Sequence, residues 1–145
     1  MNLEFKEIAA VHGVFGVLWV IMLFWFFTAV SAYVSSPSEE RGIRLHVSGT
    51  VARVVGGIAI ILGVTLSALA GELNASFKFD STGGIILSIG IVIAFIAYAI
   101  VGEGIVMRLV RKISPDKSND LKKFTTMEFG LAILALILMV VGSTI

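Results

Sequence analysis

Arg53 stands inside an apolar run that extends from Ile43 to Ala70. A guanidinium there must find a partner or be rejected by lipid, because it cannot be neutralised. At the centre of a membrane helix it costs about 2.5–3.5 kcal/mol on the insertion scale. His46 lies seven residues earlier on the same helical stripe, and two carboxyl groups, Glu103 and Glu128, belong to later apolar runs. Counted at ~1.5 Å per residue from the ends that carry the basic loops, Glu128 and His46 sit within about one turn, with Glu103 somewhat deeper and Arg53 roughly 15 Å in. The pattern predicts a buried polar cluster in which Glu103 or Glu128 holds Arg53 and His46 acts as ligand or proton carrier. A plainer reading stands beside each residue. Glu128 closes a capping box, His46 hydrogen-bonds a loop, and an Arg53–Glu103 pair does no more than fix helix register. Gly102 and Gly104 flank Glu103 and predict close backbone approach there.

His12 belongs to the opposite end, where it shares a helix face with Gly16 and Trp19. Two imidazoles at matched depth can grip a haem iron from both sides. His12 and His46 open consecutive antiparallel helices, so about 30 Å of bilayer separates them and they cannot clamp one haem within a subunit. Either could be a single axial ligand, or pair with its twin across a symmetric dimer; Glu72 is at the right depth to orient His12. The competing reading of His12 is a packed core residue. Phe24-Trp25-Phe26-Phe27, with Tyr33, reads as an aromatic belt at the membrane interface.

Four apolar runs must position these groups: Ile8–Val34, Ile43–Ala70, Gly83–Met107 and Thr126–Ile145. About 20 apolar residues cross a bilayer, so each is long enough. Helices are predicted at about 8–34, 37–70, 83–108 and 125–145, with a polar loop over 109–124. Ser36-Pro37-Ser38-Glu39 predicts an N-cap at Ser36, Asp80-Ser81-Thr82 offers caps for the third helix, and Thr125-Thr126-Met127-Glu128 a second capping box. Of the 145 residues only 14% are charged and 57% are hydrophobic, with mean hydropathy +1.01. A soluble domain carries roughly a quarter charged residues, so lipid is the expected solvent. Net charge +1 without a basic aromatic patch argues against nucleic acid, and the absence of cysteine excludes thiolate metal sites, iron–sulfur clusters and thiol catalysis.

Glu4, Lys6 and Glu7 precede the first run, which does not read as a cleaved signal peptide. Lys and Arg concentrate in the first and third connections: Arg41 and Arg44, then Arg108, Arg111, Lys112, Lys117, Lys122 and Lys123. The positive-inside rule makes those loops cytoplasmic and both termini outer. Gly42, Gly49, Gly56 and Gly63 recur every seven residues in the second helix. Small residues let helices approach closely in lipid, so this seam marks the central helix or an oligomer interface. Ala132, Ala135 and Gly142 form a weaker stripe in the fourth helix.

The stretch His12-Gly13-Val14-Phe15-Gly16-Val17-Leu18-Trp19, followed by an Arg-bearing loop and a Gly-rich helix, resembles the opening of small membrane proteins of the copper-resistance D and HemJ-type protoporphyrinogen oxidase families. That resemblance covers about the first 70 residues and implies His12 as a haem or metal ligand. The third helix lacks the intramembrane lysine of the HemJ pattern. His46-Val47-Ser48-Gly49, following Ser36-Pro37, is similar to the opening of succinate dehydrogenase anchor subunits, which bind quinone and haem; their later histidine motif is missing.

The expected protein is thus all-α, a single integral membrane four-helix bundle with both termini outside, multi-pass in a cell membrane. It is expected as a homo-oligomer or as a subunit of a larger membrane complex. Three functions fit: a redox module holding haem b, a metal or quinone near His12 or His46; a transporter or channel with a polar path at Arg53, Glu103 and Glu128; or an accessory subunit packing through the Gly49, Gly56 and Gly63 seam. The lack of proline within the runs disfavours broken-helix transporter designs.

Overall fold

The computed structural model describes residues 3–69 and 81–145, with side chains described over 7–65 and 81–145. These residues are almost wholly helical: α1 (Leu3–Ser35), α2 (Glu39–Leu69), α3 (Thr82–Phe95), a π-helix (Ile96–Val106), α4 (Met107–Arg111), a 3₁₀ turn (Pro115–Lys117) and α5 (Ser118–Thr144). α3, the π-helix and α4 run on as one span, so four helices are long and apolar enough to cross a membrane. Large apolar side chains such as Ile21, Val54, Ile61, Ile100 and Ile137 point out of the bundle, each at least half exposed. Outward Ile and Val suit a lipid solvent and would be a liability in water.

The helix starts follow local chemistry, and two differ from the sequence pattern. α2 begins at Glu39 with Ser38 as its cap: the Ser38 Oγ accepts from the Arg41 backbone N–H at 3.2 Å. Ser36 does not take that role because it still belongs to the end of α1, its N–H bonded to the Ala32 carbonyl at 3.2 Å. α5 begins at Ser118, seven residues before the expected Thr125 box. The stretch that reads as a charged loop is an amphipathic extension: Leu121 is fully buried while Lys122 and Lys123 are exposed. Thr125 and Glu128 are therefore interior helix residues and not caps. The expected loop over 109–124 shrinks to residues 112–114 and the 3₁₀ turn. For α3 the expectation holds at Ser81, whose Oγ accepts from the Gly84 N–H at 3.1 Å.

The seven-residue glycine repeat of α2 meets a seven-residue repeat of large rings on α1. A Cβ on Gly42 would touch Tyr33 at 3.8 Å, one on Gly49 Phe26 at 3.0 Å, one on Gly56 Trp19 at 2.7 Å and one on Gly63 His12 at 3.0 Å. Each step of seven up α1 is a step of seven down α2, so a ring-into-glycine ladder sets the antiparallel register. The seam is thus occupied within the chain, which corrects its reading as a contact surface for another subunit. Phe26 and Tyr33 are buried in this ladder, leaving Phe24 and Trp25 as the outward members of the expected aromatic belt. On the far side α3 and α5 meet backbone to backbone, a Gly83 Cβ falling 2.8 Å from the Gly142 oxygen. Ala132 and Ala135 of the α5 stripe are buried as well. α2 packs on α1 and reaches the third span only near the π-helix and α4.

Gly56→Leu should lower stability by about 1–3 kcal/mol through overpacking against Trp19. Gly13→Leu, where nothing lies within 4 Å, should not. Thermal unfolding of both variants in detergent checks this, and equal stability of the two would refute the ladder.

Candidate functional site

Where α2 meets the third span, three helices contribute polar groups. Arg53 of α2 forms an ion pair with Glu103 of the π-helix, through Nη1 and Oε2. The other carboxylate oxygen of Glu103 lies 3.6 Å from Arg111 Nη2 in α4. Glu103 thus sits between a guanidinium within the span and one at its end. The Arg53 guanidinium also lies 5.0 Å above the ring of Tyr98, within cation–π range. The Tyr98 hydroxyl donates to the Arg53 carbonyl at 3.1 Å, which ties the same two helices again.

The π-helix is what lets one span present these groups together. Residues five apart, such as Tyr98 and Glu103, diverge by roughly 140° on an α-helix of 3.6 residues per turn. A π turn closes over five residues and brings them to one side. The Met107 N–H bonds to the Gly102 carbonyl in that pattern. Gly102 has a second role: a Cβ there would collide with the Glu128 carboxylate. Gly56 and Gly57 form the notch for Tyr98, since a Cβ on Gly57 would stand 2.9 Å from its hydroxyl.

Glu128 is 5% exposed and lines a cavity of about 10 Å³ with Arg53, Tyr98, Gly102 and Trp19. That volume suits about one water molecule. The ion pairs of the described residues join Arg53 and Arg111 to Glu103 and Arg44 to Glu40; Glu128 belongs to none. With α5 starting at Ser118, Glu128 is ten residues, about 15 Å, along its helix. It lines the same cavity as Arg53, so the two stand at one level of the bundle.

The histidines stand apart from this cluster. His46 is exposed, and its Nδ1 lies 2.8 Å from the Gly42 carbonyl of its own helix. It stands apart from Arg53, and its contact is to its own helix rather than to a loop. The reason is local: a ring within reach of the i−4 carbonyl is satisfied on its own helix. His12 is half-buried between α1 and α2, its Nδ1 2.8 Å from the Ala59 carbonyl. Its expected partner Glu72 lies outside the described residues. Among the described residues no three His, Asp or Glu side chains gather as a metal site. Tyr98 and Arg111 are members of the cluster that the spacing argument missed; the Gly56-Gly57 doublet was the available signal for Tyr98.

No family model matches the chain, and no curated protein or solved structure is detectably similar to it.

Removing one partner of a buried pair strands the other, at about 3–5 kcal/mol when burial is complete. Arg53 and Glu103 keep 27% and 39% of their side-chain surface, so Arg53→Leu should cost less, about 1–3 kcal/mol. The double variant Arg53→Leu/Glu103→Leu should recover most of that loss. A double-mutant cycle on unfolding in detergent measures the coupling, and additive losses would show that the pair contributes nothing.

Proposed function

We propose that this is a multi-pass cell-membrane protein, with both termini outside, that takes up and releases a proton or small cation at Glu128. The observation that carries this reading is a buried carboxyl group that belongs to no ion pair of the described residues. Glu103 takes both Arg53 and Arg111, and Glu128 lies buried beside Arg53 without forming an ion pair to it. A carboxyl group in such a place must bind a proton or a cation to be tolerated in a low-dielectric interior. Glu103 and the exposed Arg111 extend the polar path from the cavity to the end of the span. An intramembrane ionisable residue is a functional candidate by default, and a π-helix within the span strengthens it. The part-exposed Arg53–Glu103 pair and the outward His46 also favour an assembly, homo-oligomeric or with other membrane subunits, that covers this flank.

Flux of protons, or of sodium or potassium ions, into liposomes tests the reading. Glu128→Gln should abolish the flux carried by the wild type, and Gly102→Ala should reduce it by displacing the carboxyl without changing charge. Wild-type proteoliposomes no leakier than empty ones, or an undiminished Glu128→Gln, would refute it.

A second reading, a redox module of the copper-resistance D or HemJ-like kind with haem b, rests on His12. A histidine ligand typically donates its other ring N–H to a carbonyl, as His12 Nδ1 can to Ala59, which leaves Nε2 as the ligating atom. The Nε2 edge of the ring faces Gly63, where a Cβ would stand 3.5 Å from Nε2, so a haem at this atom would need α2 to give way. Haem b there would supply one-electron transfer. A Soret band lost in His12→Ala supports this reading, and colourless protein from haem-replete cells refutes it.

A further inference from the structure

The turn between α1 and α2 holds a second cavity, of about 180 Å³, lined by Trp25, Thr28, Ala29, Ala32, Arg41 and Arg44. It exists because one wall is small where the other is long. Ala29 and Ala32 on α1 leave space, and Arg41 and Arg44, three apart on one face of α2, reach across it. Arg41 is held in place: its Nη1 donates at 2.9 Å to the carbonyls of Ala32 and Ser36, which closes the last turn of α1. Arg44 is tied only to Glu40, at 2.7 Å, and both of those side chains are at least 70% exposed. An exposed i, i+4 pair is worth little and exchanges readily for a better anion. Arg41 is thus a fixed cation and Arg44 a swinging one.

From this we infer that the cavity is a binding site for an anionic phospholipid, its headgroup phosphate between Arg41 and Arg44 and its glycerol and acyl chain along Ala29 and Trp25. A phosphate oxyanion is the ligand that a forked guanidinium pair recognises best. Soluble phosphate shares that chemistry, but the shape favours a lipid. The arginines sit at the helix ends, whereas Trp25 lies ten residues before the end of α1, about 15 Å along it. A free phosphate would fill only the arginine end. Trp25 is 43% exposed, with Thr28 a turn beyond it, as befits a wall that meets the boundary between headgroups and acyl chains.

Native mass spectrometry of the full chain released from mixed phosphatidylglycerol and phosphatidylcholine vesicles reads occupancy directly. The wild type should retain phosphatidylglycerol preferentially. Arg44→Gln should weaken retention about fivefold, in line with one basic residue near an anionic surface. Ala29→Leu fills the cavity without touching charge and should weaken it comparably. Undiminished retention by either variant with native helical content overturns the inference. Should Ala29→Leu lose helicity, the surface substitution Arg44→Gln decides alone. Displacement of the lipid by millimolar inorganic phosphate, with phosphate retained in its stead, would overturn the lipid assignment.

Discussion

An arginine that cannot be neutralised, placed within an apolar helix, is the constraint around which the rest of the bundle is arranged. Its guanidinium needs a carboxylate, a ring face or water, and lipid supplies none of these. The protein answers from the third span. Glu103 pairs with Arg53, Tyr98 lies under the guanidinium and bonds to the backbone of α2, and the two contacts join α2 to a span that it otherwise barely touches. These contacts add to the α1–α5 packing, where Phe24 and Phe27 meet Phe129, that joins the two helical hairpins, α1–α2 and α3–α5.

The answer requires a particular backbone. In an α-helix Tyr98 and Glu103 would face different neighbours, and the wider π turn lets both reach α2. A π-helix is costly in isolation, and the segment Ile96–Val106 persists where its side chains are over-determined by contacts with α2 and α5. Gly102 adds to this by letting Glu128 come against the π-helix backbone. The same feature that helps join the hairpins thus brings in a second carboxyl group without a second buried guanidinium.

Close packing holds the geometry steady. Without a hydrophobic force between helices in lipid, association depends on van der Waals contact and hydrogen bonding. The four rings of α1 that fill the four glycines of α2 supply the contact over most of both helices, and the Gly83–Gly142 approach does so for α3 and α5. One-residue slippage of the α1–α2 ladder would drive a ring into backbone, so the register of that hairpin is fixed by packing.

Composition and periodicity were enough to reveal four membrane-length helices, because lipid demands long apolar runs and forbids unsatisfied backbone within them. The heptad of glycines and the residues Arg53 and Glu103 were legible for the same reason: each violates the apolar pattern in a way that needs an explanation. Depth was less legible. Charged residues between Ser118 and Lys123 read as a loop, yet amphipathicity keeps them helical, so Glu128 lies inside a helix and against Gly102 rather than in a cap. His46 shared a stripe with Arg53 but turned to its own Gly42 carbonyl, since spacing along one helix does not say which face its neighbours cover. Tertiary structure alone decided that α1 fills the glycine seam, that the third span widens into a π-helix, and that Tyr98 and Arg111 join the cluster. Those outcomes depend on contacts between helices, where packing and charge from distant parts of the chain are satisfied together.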